Sequence, residues 1–384
     1  RFVLRKTRTG LVSVSVALLK LVAANDTFGA LVAVTGALAG KHALFITPPE
    51  TNGLMPEVHG LPDSVGDDVA FVVQSSGSTG TPKNVELSAA AAIASAEASQ
   101  QRLGGPGQWL LALPVNYIAG LNVLIRSALA ETQPVMMNSA VPFTADAFVA
   151  STSFLRGDKK FTALVPTQLS RLADAAEHDH SALSALKDYE AILVGGQATP
   201  PALLEKLRDQ GVNLVTTYGA TETFGGVVYD GIPLDGVSVS LREDSLIEIA
   251  SPTLANGYAP KYVSNDIGNL VDGELQVIGR VDRVIISGGI KVSLDRVELI
   301  ARSIPGVVEL VAAPIVDQEW GQRVGIIYLG SPEVAEEIAI QLADLLGPAA
   351  KPLRIMRVDL VPKLSNGKYD LRAAASIFAK ESHD

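Results

Sequence analysis

The sequence predicts an α/β protein with a large layered N-terminal domain, a small β-rich subdomain and a small α+β C-terminal domain. Across residues 109–225, short apolar runs alternate with helical stretches, which is typical of helices layered against a sheet. After residue 237 the pattern becomes an apolar–polar alternation about a short turn, as in a β-hairpin. Residues 281–384 then repeat a mixed pattern on a smaller scale. We therefore place the domains at residues 1–281 and 282–384.

Each predicted element has its own local signal. Residues 67–74 contain a continuous apolar run at 69–73 that predicts a buried strand, and residues 89–103 are rich in alanine, which predicts a helix. Later strands are predicted at 109–114, 161–165, 191–194 and 213–218, helices at 167–177 and 201–209, and hairpin strands at 237–241 and 246–249. In the last hundred residues we predict strands near 283–287, 307–316 and 353–361, and helices near 294–304 and 333–346.

Composition narrows the possible functions. The chain has 384 residues, of which 47% are hydrophobic, so a sizeable core is available, and its net charge is −10. An acidic balance argues against a nucleic-acid partner or an anionic membrane surface, although a few local cations can still bind a nucleotide. The absence of cysteine excludes a disulfide or a thiolate nucleophile and is compatible with a cytoplasmic location. The five histidines lie outside every motif, which leaves a Ser-His-Asp hydrolase poorly supported.

The N-terminal stretch allows two interpretations. Residues 1–10 are basic and residues 11–24 are apolar, which resembles the shape of a signal peptide. Lys20 interrupts the apolar run, so we favour a buried strand and helix. No uncharged apolar run reaches 18 residues, and we expect no membrane span.

A loop rich in Ser, Thr and Gly follows the strand predicted at 67–74. Its residues are Ser75, Ser76, Gly77, Ser78, Thr79, Gly80, Thr81, Pro82 and Lys83. Glycines let backbone N–H groups approach phosphates, hydroxyls donate hydrogen bonds, and the lysine adds a cation. The loop fits neither the Walker A pattern nor a G-x-S-x-G nucleophile elbow. By itself it would equally suit an ordinary surface loop.

Four further motifs follow in order along the chain. They are Tyr218-Gly219-Ala220-Thr221-Glu222, Gly279-Arg280-Val281-Asp282, Ser287-Gly288-Gly289 and Pro362-Lys363-Leu364-Ser365-Asn366-Gly367-Lys368. Together with the 75–83 loop, they resemble the adenylate-forming superfamily of acyl-CoA synthetases, peptide-synthetase adenylation domains and luciferases over about residues 67–372. The resemblance implies a ligase that activates a carboxylic acid with ATP and passes the acyl group to a thiol. It also implies Mg²⁺ with ATP, and coenzyme A as co-substrate.

The resemblance assigns the nucleotide site residue by residue. The 75–83 loop would wrap the β- and γ-phosphates, and Tyr218 would offer an aromatic face to the adenine, with Gly219 following it. Thr221 would hydrogen-bond the α-phosphate, and Glu222 would be the Mg²⁺ ligand, as a hard oxygen donor. The backbone that lies against the adenine would be Gly195, Gly196 and Gln197; an ordinary strand-to-helix turn is the alternative there.

The same resemblance assigns roles in the C-terminal third. Asp266 would accept hydrogen bonds from the ribose hydroxyls, although the two residues before it are Ser264-Asn265 where the family usually has Thr-Gly. Arg280 would reach the ribose or phosphate, with a structural salt bridge as its alternative. The hinge would be Asp282, the catalytic lysine Lys368 and the thiol-tunnel residues Gly288 and Gly289. Lys363 is interpreted as surface charge only.

The acid pocket departs from the family pattern. In residues 113–120, Asn116 stands where the family often has His, and Tyr117 follows it. Arg126 is a candidate to bind a second carboxylate, with a salt bridge on the helix surface as the alternative.

The short stretch before the 75–83 loop, together with residues 113–129 and 165–169, resembles the compact actinobacterial o-succinylbenzoate–CoA ligases of menaquinone biosynthesis. A CoA ligase for another aryl or short acid and a free-standing adenylation domain that loads a carrier protein both stay open. A non-catalytic nucleotide-binding relative is disfavoured because Glu222 and Lys368 are both present. The sequence leaves a homodimer open.

Overall fold

The structure is a computed structural model that describes residues 2–7, 10–76, 82–138, 141–363 and 369–380. Two compact units divide the chain. The first contains Arg1–Gln197, Leu207–Ser240 and Glu248–Tyr262, and the second contains Ala198–Lys206, Leu241–Ile247 and Val263–Asp384. These units are defined by packing and have no boundary at residue 281, where the predicted domain boundary coincides with a predicted hinge. That boundary therefore stays a prediction.

Helices and strands alternate through most of the chain. The helices are α1 Thr27–Leu38, α2 Ala89–Arg102, α3 Ile118–Leu129, α4 Ala145–Thr152, α5 Pro166–Ala176, α6 His180–Lys187, α7 Pro201–Asp209, α8 Leu294–Arg302, α9 Val334–Leu346 and α10 Leu371–Lys380. The strands up to residue 233 are β1 Phe2–Thr7, β2 Gly10–Ala23, β3 Ala43–Thr47, β4 Ser64–Gly66, β5 Val69–Ser76, β6 Pro82–Ser88, β7 Gln108–Leu111, β8 Val135–Met136, β9 Lys160–Leu164, β10 Ala191–Gly195, β11 Leu214–Ala220, β12 Gly225–Tyr229 and β13 Ile232–Pro233. The later strands are β14 Ser238–Leu241, β15 Leu246–Ala250, β16 Tyr262–Val271, β17 Glu274–Arg280, β18 Val284–Ser287, β19 Ile290–Ser293, β20 Val307–Asp317, β21 Gly321–Gly330 and β22 Arg354–Arg357.

Two sheets form the frame of the first unit. One has the order β1-β2-β3-β5-β6 with β4 beside β2, and the other has the order β13-β12-β11-β10-β9-β7-β8. In the second sheet, β7, β8, β9, β10 and β11 pair in parallel, so the carboxyl ends of these strands meet at one edge. Apolar side chains of α1, α2 and α3 share a buried core with both sheets.

The second unit is built on a five-stranded sheet with the order β19-β18-β21-β20 and β22 beside β21. Side chains of β20 alternate between two cores, because successive residues of a strand point to opposite faces. Leu310 and Ala312 pack with residues of α8 and α9, whereas Val311 and Ala313 pack with residues of α10. A separate four-stranded sheet has the order β14-β15-β16-β17.

The predicted α/β class and most of the predicted elements are confirmed. The strand predicted at 67–74 is β5, and the helix predicted at 89–103 is α2. The strand predicted near 353–361 is shorter, since β22 ends at Arg357. The apolar run of residues 11–24 forms most of strand β2, as the favoured interpretation expected, but Leu18 and Leu21 are exposed rather than buried. Among the described residues, no helix combines the length and apolarity needed to cross a membrane.

Candidate nucleotide and acid site

The phosphate-loop motif joins two antiparallel strands. Ser75, near the end of β5, pairs with Lys83 in β6, and Ser76 pairs with Pro82. The residues between them, Gly77, Ser78, Thr79, Gly80 and Thr81, lie outside the described residues, as does the side chain of Ser76. The structure therefore places the two ends of the predicted phosphate loop and leaves its central residues a prediction.

Lys83 has a partner that sequence reasoning missed. Its ammonium donates a hydrogen bond to the Tyr258 hydroxyl and lies 4.8 Å from the centroid of the Tyr258 ring. The hydrogen bond from Lys83 to Tyr258, with a smaller contribution from the negative charge of Glu222, raises the pKa of the Lys83 ammonium. The predicted phosphate-binding cation and the predicted Mg²⁺ ligand are thus close enough to interact. Tyr258 lies 175 positions from Lys83, so no local pattern links them.

The adenine and α-phosphate motifs lie at one edge of the seven-stranded sheet. Gly195 ends β10 opposite Thr217 of β11, so the Gly195 motif and the Tyr218 motif lie at the carboxyl ends of neighbouring parallel strands. A side chain at Gly195 would place its Cβ 2.2 Å from the Thr217 hydroxyl, which explains the glycine. Gly196 has φ +86°, a conformation that favours glycine. Gln197, which follows it, is half-buried.

A tight turn positions Thr221 and Glu222. Both belong to a 3-10 turn, Thr221–Thr223, that follows β11. Gly219 must lack a side chain, because its Cβ would lie 1.9 Å from the Gly225 carbonyl oxygen. The backbone carbonyl of Glu222 accepts a hydrogen bond from the amide of Ala255 at 2.8 Å.

Three buried polar side chains hold this turn, and sequence reasoning missed all three. Thr223 hydrogen-bonds the backbone of Ala220 and Gly225, and the Thr253 hydroxyl donates to the Thr223 carbonyl at 2.8 Å. Asn122 donates to the Phe224 carbonyl at 2.8 Å across 102 positions of sequence. Thr223 directly follows the Tyr218–Glu222 motif and could have been suspected, but Asn122 and Thr253 carry no local signal.

The acid-pocket candidates lie at the start of α3 and along it. Asn116 has a buried side-chain oxygen with no hydrogen-bond partner within the described parts of the chain, and Tyr117 is the N-cap residue of α3. Arg126 is only 4% exposed, so the alternative of a salt bridge on the helix surface is wrong. It donates to the Tyr229 hydroxyl at 3.2 Å and lies 5.0 Å from the centroid of the Trp109 ring. Its Nε is buried and makes no hydrogen bond to any described residue.

Arg126 belongs to a set of buried polar side chains between α2, α3 and β12, which we call the polar seam. Its members are Ser95, Ser99, Asn122, Arg126 and Tyr229. Asn122 and Arg126 are four residues apart and therefore face the same side of α3. Ser99 and Tyr229 hydrogen-bond each other at 2.9 Å. Among the described residues, no carboxylate forms an ion pair with Arg126, which is unusual for a buried guanidinium.

The ribose and hinge candidates lie together in the second unit. Asp266 of β16 is paired in register with Arg280 of β17, and the Asp266 carboxylate lies 3.5 Å from the Arg280 guanidinium. Arg280 also donates to both carboxylate oxygens of Asp282 at 2.9 and 2.8 Å. These hydrogen bonds hold the pKa of the Asp282 carboxyl below its usual range. The Ser264 hydroxyl accepts a hydrogen bond from the Asp266 amide at 3.0 Å, so Ser264, which stands where the family usually has Thr, has a structural role.

The thiol-tunnel candidates form the turn between β18 and β19. Gly288 and Gly289 have φ values of +56° and +81°. A Cβ at Gly288 would lie 2.7 Å from the ring of Trp320, and the Gly288 amide donates to the Trp320 carbonyl at 3.0 Å. Trp320 was missed, although it is one of two tryptophans in the chain.

The catalytic lysine candidate lies outside the described residues, but the residues on both sides of its segment are described. Lys363 and Tyr369 form an isolated antiparallel bridge around 364–368. Lys363 pairs with Glu309, and its ammonium lies 5.7 Å from the centroid of the Tyr369 ring. The interpretation of Lys363 as surface charge is therefore wrong.

A family model described as AMP-binding enzyme matches residues 14–261 of this chain. The chain belongs to the AMP-binding enzyme family. The match covers the phosphate-loop, adenine and Thr221–Glu222 motifs, whereas Asp266, Arg280, Asp282 and Lys368 lie beyond it.

Curated members of this family resemble the chain over most of its length. It is 36% identical over 358 residues to a Mycobacterium tuberculosis H37Rv protein named "Probable 2-succinylbenzoate–CoA ligase", with coverage of 88% of this chain and 92% of the relative. It is 28% identical over 334 residues to the 2-succinylbenzoate–CoA ligase of Lactococcus lactis, with coverage of 80% and 70%.

Solved structures support the fold. The o-succinylbenzoate CoA synthetase of Bacillus subtilis, in complex with an acyl-adenylate intermediate, is similar with a TM-score of 0.71 at 22% identity over 90% of this chain and 80% of the other. The amide bond synthetase of Marinactinospora thermotolerans is similar with a TM-score of 0.70 at 21% identity over 88% and 75%. At these identities the likeness concerns the fold.

Proposed function

We propose that the chain is an AMP-forming acid–CoA ligase that converts 2-succinylbenzoate to its CoA thioester, as a step of menaquinone biosynthesis. The ligase class is supported by the Mycobacterium relative, which is aligned over nearly the whole of both chains. The observation that carries the substrate is Arg126, a buried cation with no described carboxylate partner. Since ATP and coenzyme A are its other substrates, we place its work in the cytoplasm.

Two half-reactions follow from this proposal. In the first, a carboxylate oxygen of the acid attacks the α-phosphorus of ATP, the bond to the bridging oxygen breaks, and pyrophosphate leaves. The nucleophile is already ionised, so the protein contributes positioning and charge stabilisation rather than a base. In the second, the thiol of coenzyme A attacks the acyl carbon, AMP leaves with the electron pair of the broken C–O bond, and the thiol proton is released.

Different residues would bind the phosphates and the metal ion in the first half-reaction. Lys83 is placed near Glu222 to meet the phosphates, and the turn at Thr221 offers a hydroxyl to the α-phosphate. Among the described residues, no group of three or more metal-binding side chains occurs. A single carboxylate such as Glu222 nevertheless fits Mg²⁺, which is often held by one or two carboxylates together with substrate phosphates. When bound, the ion supplies positive charge that neutralises the phosphates.

The second carboxylate of the substrate needs a cation in a buried place. A guanidinium is suited to this because it presents donors in a planar fork that matches a carboxylate. Arg126 has a buried Nε that is without a hydrogen bond among the described residues, and it shares one face of α3 with Asn122, which holds the turn after Glu222. We propose that the aromatic carboxylate of the substrate is bound at the Arg126 end of the polar seam.

A coupled assay tests the proposal. The protein is incubated with ATP, Mg²⁺, coenzyme A and a panel of acids, and both AMP and the acyl-CoA product are measured by mass spectrometry. The panel includes 2-succinylbenzoate and the matched acid 4-oxo-4-phenylbutanoate, which lacks only the aromatic carboxylate.

Strong turnover of 2-succinylbenzoate alone is the expected result. Turnover of another acid would keep the ligase class and reject the substrate. Release of AMP without a CoA product would instead favour an adenylation domain that loads a carrier protein.

A further inference from the structure

The turn that places Thr221 and Glu222 ends in a strained residue. Phe224 has φ +59° and ψ +34°, a left-handed conformation that favours glycine and that bulky residues rarely adopt. The next residue, Gly225, also has a positive φ, of +89°, so the chain reverses into β12 through two left-handed residues. Glycine occupies the second of these positions, but phenylalanine occupies the first. Its side chain must therefore make contacts that offset the strain of the backbone.

Neighbouring elements fix the backbone of Phe224. Its amide donates to the Thr221 carbonyl at 3.1 Å. Its carbonyl accepts hydrogen bonds from the Asn122 side-chain amide of α3 at 2.8 Å and from the Ser95 hydroxyl of α2 at 3.4 Å. These bonds involve only backbone atoms of Phe224, so glycine at this position could make all of them. They do not explain why the residue is a phenylalanine.

The phenyl ring of Phe224 makes the contact that glycine could not make. It is fully buried and lies edge-to-face with the buried ring of Phe71, with a centroid separation of 6.1 Å and an interplanar angle of 89°. Such pairs are favourable because the positive edge of one ring meets the negative face of the other. Phe71 belongs to β5, in the other sheet of the first unit. The ring pair therefore joins the turn after β11 to a strand of a different sheet.

Strand β5 is the strand that leads into the predicted phosphate loop. Side chains alternate along a strand, so Phe71, Val73 and Ser75 share one face of β5. Phe71 and Val73 both pack in the core that the sheets form with α1, α2 and α3. Ser75, the first residue of the phosphate-loop motif, comes next on this face and pairs with Lys83 of β6. The ring contact thus fixes β5 from the face on which the motif begins.

A second connection between the two motifs runs through the backbone of the segment after β15. The Ala255 amide donates to the Glu222 carbonyl at 2.8 Å. The next amide, that of Asn256, donates to the Glu86 carbonyl of β6 at 2.9 Å. The turn is therefore attached to both strands of the phosphate-loop hairpin, to β5 by the ring contact and to β6 by these two amides.

We propose that Phe224 is a positioning residue for the nucleotide site: its ring, packed against Phe71, holds the Thr221–Thr223 turn in place relative to the hairpin of β5 and β6. Without the ring contact, the strained turn loosens and Glu222 loses its position beside the phosphate loop. Binding of Mg²⁺ and ATP then weakens. The roles of Thr221 and Glu222 in this account rest on the proposed function.

Three variants and a matched control separate the ring contact from a general loss of core packing. Phe224→Leu and Phe71→Leu each keep an apolar side chain and remove one ring of the pair, and the double variant removes both. Phe148→Leu is the control. Phe148 is also fully buried, and its ring pairs with those of Phe143 and Tyr189, which belong to no nucleotide motif.

A second pair of variants tests the backbone strain. Phe224→Ala and Phe224→Gly remove the same ring, but only alanine keeps a Cβ in the left-handed conformation. At an ordinary buried position the glycine variant is the less stable of the two, because glycine loses more conformational freedom on folding. At residue 224 we expect the reverse order, with a higher urea midpoint for Phe224→Gly than for Phe224→Ala.

Three measurements are made on each full-length variant. Urea unfolding gives the stability of the fold. Isothermal titration calorimetry with ATP and Mg²⁺, in the absence of any acid, gives the Kd of the nucleotide. Hydrogen–deuterium exchange of the amides of residues 221–225, without ligands, reports how often the turn opens.

We expect Phe224→Leu and Phe71→Leu each to weaken ATP binding by roughly tenfold, the effect of losing one hydrogen bond to a charged group. The double variant should bind no more weakly than the worse single variant, because both changes remove the same contact. Amide exchange of 221–225 should be faster in all three variants, although Phe71 lies in another sheet. Phe148→Leu should lose stability but bind ATP within about twofold of wild type, because distant sites act independently.

Weakening of ATP binding in Phe148→Leu as large as in Phe224→Leu, additive losses in the double variant, or unchanged amide exchange in Phe71→Leu would each overturn the inference. A higher urea midpoint for Phe224→Ala than for Phe224→Gly would overturn it as well. If the wild-type chain binds ATP but turns over no acid, the proposed function fails and these measurements still decide the inference. If the wild-type chain does not bind ATP, both fail.

Discussion

At the scale of single residues, environment decides what each charged group can do. Arg126 and Arg280 are both arginines, but their partners differ. Arg280 has two carboxylates within reach, Asp266 and Asp282, whereas Arg126 has a hydroxyl and an aromatic ring. A buried guanidinium without a described counter-ion is costly, and a substrate carboxylate would offset that cost.

Replacement of Arg126 by methionine should separate binding from folding. Arg126→Met should lower kcat/KM for 2-succinylbenzoate by about ten- to a hundredfold, the usual value of a hydrogen bond to a charged group. For 4-oxo-4-phenylbutanoate the change should be small, because that acid lacks the aromatic carboxylate. The melting temperature should be unchanged or higher, since an apolar residue replaces a buried charge. Equal losses on both acids would contradict the assignment.

Asp282 should make stability depend on pH in the acid range. Its pKa is lowered in the folded chain by hydrogen bonds from Arg280, so its contribution to the free energy of unfolding is present above the unfolded pKa of about 4. The contribution is lost as the pH falls through the lower folded pKa. Urea unfolding of wild type and Asp282→Asn should therefore show a stability difference at about pH 5 that shrinks at about pH 3. A difference that does not change with pH would contradict this.

At the scale of elements, the turn after β11 is the most constrained part of the candidate site. The turn places Thr221 and Glu222, yet no hydrogen bond described within the structured ranges shows either side chain supporting it. Hydrogen bonds to the backbone of the turn come instead from Thr223, from Asn122 of α3 and from Thr253, which belongs to the segment between β15 and β16. Because separate elements converge on the turn, its geometry depends on the packing of the whole first unit.

Thr253→Val tests the support of the turn. Valine has the same shape but removes the hydroxyl that donates to the Thr223 carbonyl, so the free energy of unfolding should fall by about 1–2 kcal/mol. The Mg²⁺ concentration needed for half-maximal pyrophosphate exchange should rise, because Glu222 loses its fixed place. Ser251→Ala is the control, since the Ser251 hydroxyl contacts Thr253 but not the turn. Normal Mg²⁺ dependence in Thr253→Val would show that the turn does not need this support.

At the scale of the whole molecule, the proposed reaction needs two arrangements of the same residues. Lys368 is required while the acyl-adenylate forms, and the turn at Gly288 is required while the thiol attacks. Each set belongs to the second unit, and Asp282 lies between β17 and β18 where the chain could rotate. A rotation at Asp282 would exchange the two sets while the residues that follow it keep their own packing.

Lys368→Ala should therefore give an asymmetric loss. Adenylate formation should be abolished, because the positive charge that stabilises the α-phosphate and carboxylate is removed. Thioester formation from pre-made adenylate should keep much of its wild-type rate. Both half-reactions are measured separately by rapid quench, with Lys351→Ala as a control for loss of an exposed lysine in the same unit. Equal losses in both half-reactions would reject the two-state account of Lys368.

Local sequence pattern predicts most of the elements, and the order of the motifs is read directly from the sequence. Strands such as β5, β9 and β10 are short apolar runs bounded by polar or glycine-rich segments, so their positions follow from local pattern. The family could also be inferred from the sequence, because each of its motifs is a contiguous run that contains residues of distinctive chemistry.

Contacts between side chains that are distant in sequence are known only from the folded chain. Lys83 and Tyr258 are 175 positions apart, and Asn122 and Phe224 are 102 apart. Arg126 was open to interpretation as a surface residue because arginine is mostly exposed in proteins, but α3 is buried on the side where Arg126 lies. Local pattern reports the period of a helix or strand, whereas burial, charge pairing and support of a turn depend on how the elements pack.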